Sequence, residues 1–177
     1  MKIDWKNITI KNLAALVCDE LNRGDIDAVL VGGACVSIYT DNTYVSYDLD
    51  FVSHSSLKDI SGILSGLGFH RESSRHFIRK DCPFFIEFVA PPVSVGREPI
   101  SKLENIKTPF GSLRLLTPKD CVKDRLAAYY HWKDPQALEQ AVLVAKAQKI
   151  KMPEIRKWSE KEGHKKKFDT FLKMLKA

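Results

Sequence analysis

Three carboxylates stand where the surrounding sequence is apolar. Asp48 and Asp50 interrupt S-Y-D-L-D-F-V, and Glu87 interrupts F-F-I-E-F-V. A carboxylate buried without a partner costs several kcal/mol, or its pKa rises until it is neutral. In a strand, residues two apart share a face at about 3.3 Å of rise each, so Asp48 and Asp50 project together, about 6–7 Å apart along the backbone. Leu49 and Phe51 then face the core. Like charges that close raise each other's pKa unless a cation sits between them. Mg²⁺ is the natural cation, because it takes hard oxygen ligands from one or two carboxylates and from substrate phosphates. Glu87 is flanked on its own face by Phe85 and Val89, so it belongs to no polar stripe. A metal shared with Asp48 and Asp50 gives it a partner. Three carboxylates converging from neighbouring strands describe a two-metal phosphoryl or nucleotidyl transfer site, with Mg²⁺ or Mn²⁺ bridging a nucleoside triphosphate (NTP) and activating an acceptor hydroxyl. The rival readings are solvent-facing edge-strand acids for Asp48 and Asp50, and an ion pair across a hairpin with Arg75, Arg79 or Lys80 for Glu87.

Gly32-Gly33 supplies the phosphate half of such a site. A strand that ends in two glycines before a helix lets backbone N–H groups approach phosphate oxygens, with the helix N-terminus behind them. Ser37, one helical turn on, adds a hydroxyl, and Ser46 just before the acidic pair is a further polar candidate. Both have plain alternatives: Ser37 as a helix-surface serine and Ser46 as a local bond to a neighbouring strand.

These residues need elements to position them. Leu13, Leu16, Val17 and Leu21 recur at helical spacing and predict a helix over Asn12–Arg23 closed by Gly24. A β run, Ala28–Val31, precedes the glycines, and a helix is expected over Ala34–Tyr39. Asp41-Asn42 marks a turn before a second strand, Val45–Val52. Ser55 or Ser56 caps a helix that ends at Gly66 or Gly68. Short strands follow at Phe69–Glu72, Arg75–Arg79 and Phe84–Val89. Ala90–Glu98 reads as a Pro/Gly loop, and Asn105–Leu116 as a hairpin turning near Pro109-Phe110-Gly111. Helices are expected over Pro118–Tyr130 and Pro135–Gln148, and from Pro153 to the C-terminus. The fold class is α/β (α+β): a mixed sheet with flanking helices over residues 1–116 and a helical subdomain over 117–177.

Composition bounds the partners. The 177 residues suffice for one domain with a proper core. The net charge of +6 leans toward anionic partners such as nucleotides or RNA, although Lys165-Lys166-Lys167 and its neighbours, which carry much of the excess, read as a solvated helix face. Cys18, Cys35, Cys82 and Cys121 form no C-x-x-C pair, and the five histidines show no metal-ligand spacing. No signal-peptide core and no membrane-length apolar run is present, so a cytoplasmic protein without membrane contact is expected.

The pattern of an apolar strand, G-G, a spacer and an apolar-flanked D-x-D resembles the nucleotidyltransferase superfamily, whose founding member is DNA polymerase beta. The resemblance covers about Ala28 to Val89 and implies metal ligation by Asp48, Asp50 and Glu87. S-Y-D-L-D-F, Ser46 to Phe51, looks closest to the AbiEii/MenT-type branch. T-P-K-D near Thr117 and the K-D pair Lys133-Asp134 also resemble that branch. On that likeness Lys123 or Lys133 contacts phosphates, and Asp134 orients a basic residue or the nucleotide. The branch implies a toxin of a toxin–antitoxin system, with a cognate antitoxin and transfer RNA or other RNA as partners. Local chemistry offers another account: Thr117, Pro118 and Asp120 as N-cap, N1 and N3 of a helix, and Asp134-Pro135 as a second cap. The expected activity is transfer of a nucleoside monophosphate to an RNA end, a protein or a small molecule. The alternative is a nucleotidyltransferase-like protein without catalysis that binds nucleotide or a partner as a regulator.

Overall fold

A computed structural model describes residues 3–177. Seven helices and nine strands alternate: α1 Ile10–Arg23, β1 Val29–Val31, α2 Gly32–Tyr39, β2 Asp48–Val52, α3 Leu57–Gly66, β3 His70–Arg71, β4 His76–Ile78, β5 Phe85–Val89, β6 Ser94–Val95, β7 Glu98–Pro99, β8 Leu103–Thr108, β9 Gly111–Leu116, α4 Pro118–Trp132, α5 Pro135–Ala147, α6 Met152–Lys161 and α7 Lys165–Lys176. Seven strands form one mixed sheet in the order β3-β4-β5-β2-β1-β9-β8, and β6 and β7 make a separate two-stranded ribbon.

The centre of the sheet follows from its side chains. Leu30, Leu49, Phe51, Ile86 and Leu115 are fully buried, and they come from the four neighbouring strands β5, β2, β1 and β9. Strand β2 runs antiparallel to β1 and parallel to β5. Phe51 stacks on Phe88 at 5.9 Å between ring centroids, and Phe77 meets Phe88 edge-on. Since strand residues alternate faces, this apolar layer forces Asp48, Asp50 and Glu87 onto the opposite face. Helix α1 buries Leu13, Val17 and Leu21 and starts at Thr9, whose hydroxyl accepts from the Asn12 N–H. Tyr39 of α2 donates its hydroxyl to the Leu116 carbonyl at 2.6 Å, which ties α2 to the end of β9. Helix α4 packs along α5, and α5 packs on α2, so the C-terminal helices share the core of the sheet layer.

Four details differ from the sequence expectation. Strand β2 begins at Asp48 rather than Val45. The Ser46 N–H donates to the Ser37 hydroxyl instead of to a strand, and Val45 and Tyr47 stay exposed. Helix α2 begins at Gly32 rather than Ala34, because Gly32 takes a positive φ of 69° that turns the chain straight from β1 into the helix. The expected loop 90–98 contains β6 and the start of β7, which reverse around Gly96 at φ 59°. The expected last helix is two, α6 and α7, broken at Gly163 with φ 81°. No helix among the described residues is long and apolar enough to cross a membrane.

Candidate active site

The register of β2 on β5 places Asp50 directly opposite Glu87, with Asp48 opposite Phe85. Paired residues on adjacent strands are about 5 Å apart at the backbone. Asp48, Asp50 and Glu87 therefore occupy one small area of the solvent-side face, each half-buried. On the far side of β5, His76 of β4 lies opposite Glu87, and its ring stacks on Phe85 at 4.4 Å.

The electrostatics are those of uncompensated negative charge. Burial, then the Glu87 and Asp48 charges, push the Asp50 carboxyl up to about 6, against the pull of Arg125. Burial and Glu87 also raise Asp48, with His76 opposing them. Among the described residues none of the three carboxylates forms an ion pair. Arg79, offered by sequence as a partner for Glu87, instead bonds Asp81 at 2.7 Å and the Leu67 carbonyl.

The glycine turn abuts the same charges. A Cβ at Gly32 would overlap the Asp50 carboxylate, so the turn passes against the acidic strand only because Gly32 lacks a side chain. A Cβ at Gly33 would sit 3.1 Å from the Ser46 hydroxyl. Ser37 is fully buried. Its hydroxyl donates to the Gly33 carbonyl at 3.4 Å and accepts from the Ser46 N–H at 2.8 Å. Ser46 in turn donates from its hydroxyl to the Asp48 carbonyl at 3.1 Å. The two serines thus form a chain of bonds that sets the glycine turn against the start of β2.

The donor set fits a divalent cation. All three side chains offer hard oxygens, and the raised pKa values of Asp48 and Asp50 record charge that a cation would offset. As the side chains stand, no three His, Cys, Asp or Glu among the described residues converge closely enough to hold an ion alone. That suits Mg²⁺, which is usually held by one or two carboxylates with phosphate and water completing its shell.

The other expected site residues lie elsewhere. Lys123 is buried on α4; its ammonium donates to Glu98 at 3.1 Å and stands 3.9 Å from Asp120. To meet a phosphate it must leave Glu98. Thr117 caps α4, accepting from the Asp120 N–H, with Pro118 in the first turn. Lys133 is the exposed C-cap of α4 at φ 55°. Asp134 caps α5 by accepting from the Gln136 and Ala137 N–H groups.

Two residues that sequence reasoning passed over act on the acidic pair instead. Asp124 and Arg125 are bound to each other at 2.6 Å, Arg125 also reaches Gln140, and both charges are felt at Asp50. They line a cleft of about 420 Å³ that extends past Arg97, His131, Trp132 and Glu162. The available signal was the D-R pair within the predicted helix, eclipsed by the K-D pair at its end.

The mixed sheet with its flanking helices is a nucleotidyltransferase fold, as two solved structures bear out. One is an antigenic nucleotidyltransferase-like protein from Paracoccidioides brasiliensis, similar over 76% of this chain and 74% of its own with 12% identity and a TM-score of 0.56. The other is the antibiotic-resistance factor ANT(2″)-Ia, similar over 94% of both chains with 12% identity and a TM-score of 0.51. No protein-family model and no curated protein matches the chain.

Proposed function

We propose that the protein is a Mg²⁺- or Mn²⁺-dependent nucleotidyltransferase that moves a nucleoside monophosphate from an NTP to an acceptor hydroxyl. The observation that carries this reading is the register of Asp50 against Glu87 beside the Gly32 turn. Asp48 and Asp50 hold the cation and Glu87 completes the acidic set. A divalent cation held there would offset the triphosphate's charge and lower the pKa of the attacking hydroxyl. Gly32 and Gly33 bring backbone N–H groups to the β- and γ-phosphates. Glu87 takes the acceptor proton as the oxygen–phosphorus bond forms. The bond between the α-phosphorus and its bridging oxygen breaks, and pyrophosphate leaves. Ser37 and Ser46 act through the backbone, fixing the turn relative to β2.

The acceptor class is an RNA end, a protein hydroxyl or a small molecule, and the net charge of +6 favours RNA. Placement in the AbiEii/MenT-type branch, with a toxin role and an antitoxin partner in the cytoplasm, rests on the S-Y-D-L-D-F and T-P-K-D strings. The direct test incubates each α-³²P-labelled NTP with Mg²⁺ or Mn²⁺ and a cell extract fractionated into RNA, protein and small molecules. Label entering one fraction with the wild type, and not with an Asp48→Asn/Asp50→Asn double variant, establishes the activity and its acceptor class. Nucleotide bound with no label transferred supports the regulatory, non-catalytic alternative instead.

A further inference from the structure

The charge of the chain is unevenly placed. Residues 149–177, which fold as α6 and α7, hold ten Lys and Arg against four Asp and Glu. That stretch carries the whole net charge of +6, and residues 1–148 are neutral. Glu154 is paired with Lys119 at 2.9 Å, Asp169 with Arg156 at 3.7 Å, and Glu162 is buried. Among the described residues this leaves Glu160 as the one unpaired acid of the stretch in solvent. Lys157, Lys161, Lys165, Lys166 and Lys173 are exposed and enter no ion pair among the described residues. An excess of one sign on one surface attracts a polyanion. Basic amphipathic helices also lie on anionic membranes by inserting their apolar face. Here that face is taken, since Phe168 and Phe171 of α7 are fully buried in the core. A partner of α7 therefore meets its cations alone.

An aromatic platform stands at the start of α7. Lys167 donates its ammonium to the Tyr129 carbonyl at 3.2 Å and to the Tyr130 carbonyl, which seats the first turn of α7 on the last turn of α4. The His164 ring stands 5.0 Å from the His131 ring, edge to face. Trp132 and Lys133 follow one of these histidines, and Lys165 and Lys166 follow the other. Trp132 is 82% exposed, more than any other large apolar side chain among the described residues. An exposed indole flanked by unpaired ammonium groups is the makeup of a single-strand site: the ring stacks on a base and the cations meet the phosphates on either side.

We propose that this end of the molecule, from Trp132 and Lys133 to Lys165, Lys166 and the exposed face of α7, docks single-stranded RNA. Trp132 stacks on an unpaired base, and the lysines meet the phosphates of neighbouring nucleotides. RNA is the partner because its loops and ends display unstacked bases, whereas a duplex hides its ring faces. The surface works without the acids of β2 and β5, so docking needs neither metal nor NTP. Its failure would leave nucleotidyl transfer to a protein or a small molecule standing, and the failure of nucleotidyl transfer would leave the docking surface standing.

Titration with a short single-stranded RNA, without metal or NTP and followed by tryptophan fluorescence, tests this. Binding should quench the fluorescence. The log of the binding constant should fall against log salt concentration with a slope of about −3, as four phosphate contacts give on a single strand. Trp132→Ala should weaken binding about fivefold or more and abolish the quench, with the slope unchanged. Lys165→Gln/Lys166→Gln should reduce the slope by about 1.4 and keep the quench. All three positions are exposed, and circular dichroism checks that the helices are kept. Equal affinity for the same RNA annealed to its complement overturns the proposal, as does a Trp132→Ala variant that binds like the wild type. Tighter binding to phosphatidylserine vesicles than to RNA overturns it in favour of a membrane surface. No binding of single-stranded RNA overturns it outright, and the label-transfer test of the proposed function is read independently.

Discussion

Buried charge is handled in opposite ways in two regions of the molecule. Around α4 it is matched. Lys123 is held by Glu98 and Asp120, Asp120 accepts from the Thr117 hydroxyl at 2.7 Å, and Arg125 lies on Asp124 and Gln140. On the β2–β5 face, Asp48, Asp50 and Glu87 crowd together, burial and the neighbouring acids raise Asp48 and Asp50, and no cation of the described chain closes on them. The matched set joins elements: it links α4 to the β6–β7 ribbon. The unmatched set opposes folding and joins nothing. Departures of this kind from local stability rules concentrate at functional sites, where a ligand supplies what the fold lacks. The contrast separates Lys123, buried and held by Glu98 and Asp120, from half-buried Asp50, to which the proposed function assigns the chemistry.

The largest effect expected is at the acids. Asp48→Asn or Asp50→Asn should lower nucleotidyl transfer by on the order of a thousandfold, since a cation's contribution to transition-state charge is several kcal/mol. The same Asp50→Asn change should stabilise the apo fold, by up to about 3 kcal/mol at neutral pH, because it removes an ionisation that the folded state resists. Urea unfolding reads the stability and pyrophosphate release reads the rate. A variant that loses both would place Asp50 with the scaffold and erase the contrast. Lys123→Met should do the reverse of Asp50→Asn. It should cost about 1–3 kcal/mol by leaving Asp120 and Glu98 without their cation. Binding of Mg²⁺ and NTP should survive; if NTP affinity collapses while the fold holds, Lys123 does leave Glu98 for a phosphate.

Gly32→Ala should destabilise by about 1–3 kcal/mol, since Ala must adopt φ 69° and its methyl must displace the Asp50 carboxylate. Weaker Mg²⁺ binding should accompany it, whereas a cost in stability alone would separate the turn from the acids. Acidity offers a finer probe. Burial and the neighbouring acids push Asp50 up to about 6 in the fold, from 3.8 in a free chain, so the native state holds that proton more tightly than the unfolded chain does. Its ionisation therefore costs stability: the cost is absent below pH 3.8, grows as pH rises, and is complete above about 6. Relative to Asp50→Asn, wild-type stability should fall through that window, while Mg²⁺ affinity rises through it and then levels. Smallest of all, Asp134→Ala should cost about 1 kcal/mol through loss of the α5 cap. That cost should come with no change in NTP affinity if capping is its whole role.

The acids were legible because the signal is local. Alternation in D-L-D-F-V and F-F-I-E-F-V tells which residues share a face, and G-G before a helix tells where a tight turn lies. Both together point to the fold that the structure has. The pairing of Asp50 with Glu87 was not in the sequence, since β3 and β4 intervene between β2 and β5 and only the full sheet order fixes the register. The β6–β7 ribbon escaped because each strand is two residues long and the ribbon begins just after Pro91-Pro92, where turn chemistry dominates the pattern. Glu162 escaped for a different reason. Within K-E-G-H-K-K-K it looks like one more solvated charge, and only the fold of the β6–β7 turn over it makes it a buried one. Gly163, which ends α6, was read through because the lysine run beyond it keeps helical composition.

The measurement that bears most directly on the contrast between matched and unmatched charge is a Mn²⁺ titration followed by thermal unfolding, run on the wild type and on Asp50→Asn. The account predicts that Mn²⁺ raises the wild-type Tm toward or above that of Asp50→Asn, and leaves the variant nearly unmoved. An equal rise in both proteins, or none in either, would contradict the claim that the β2–β5 acids form a cation site.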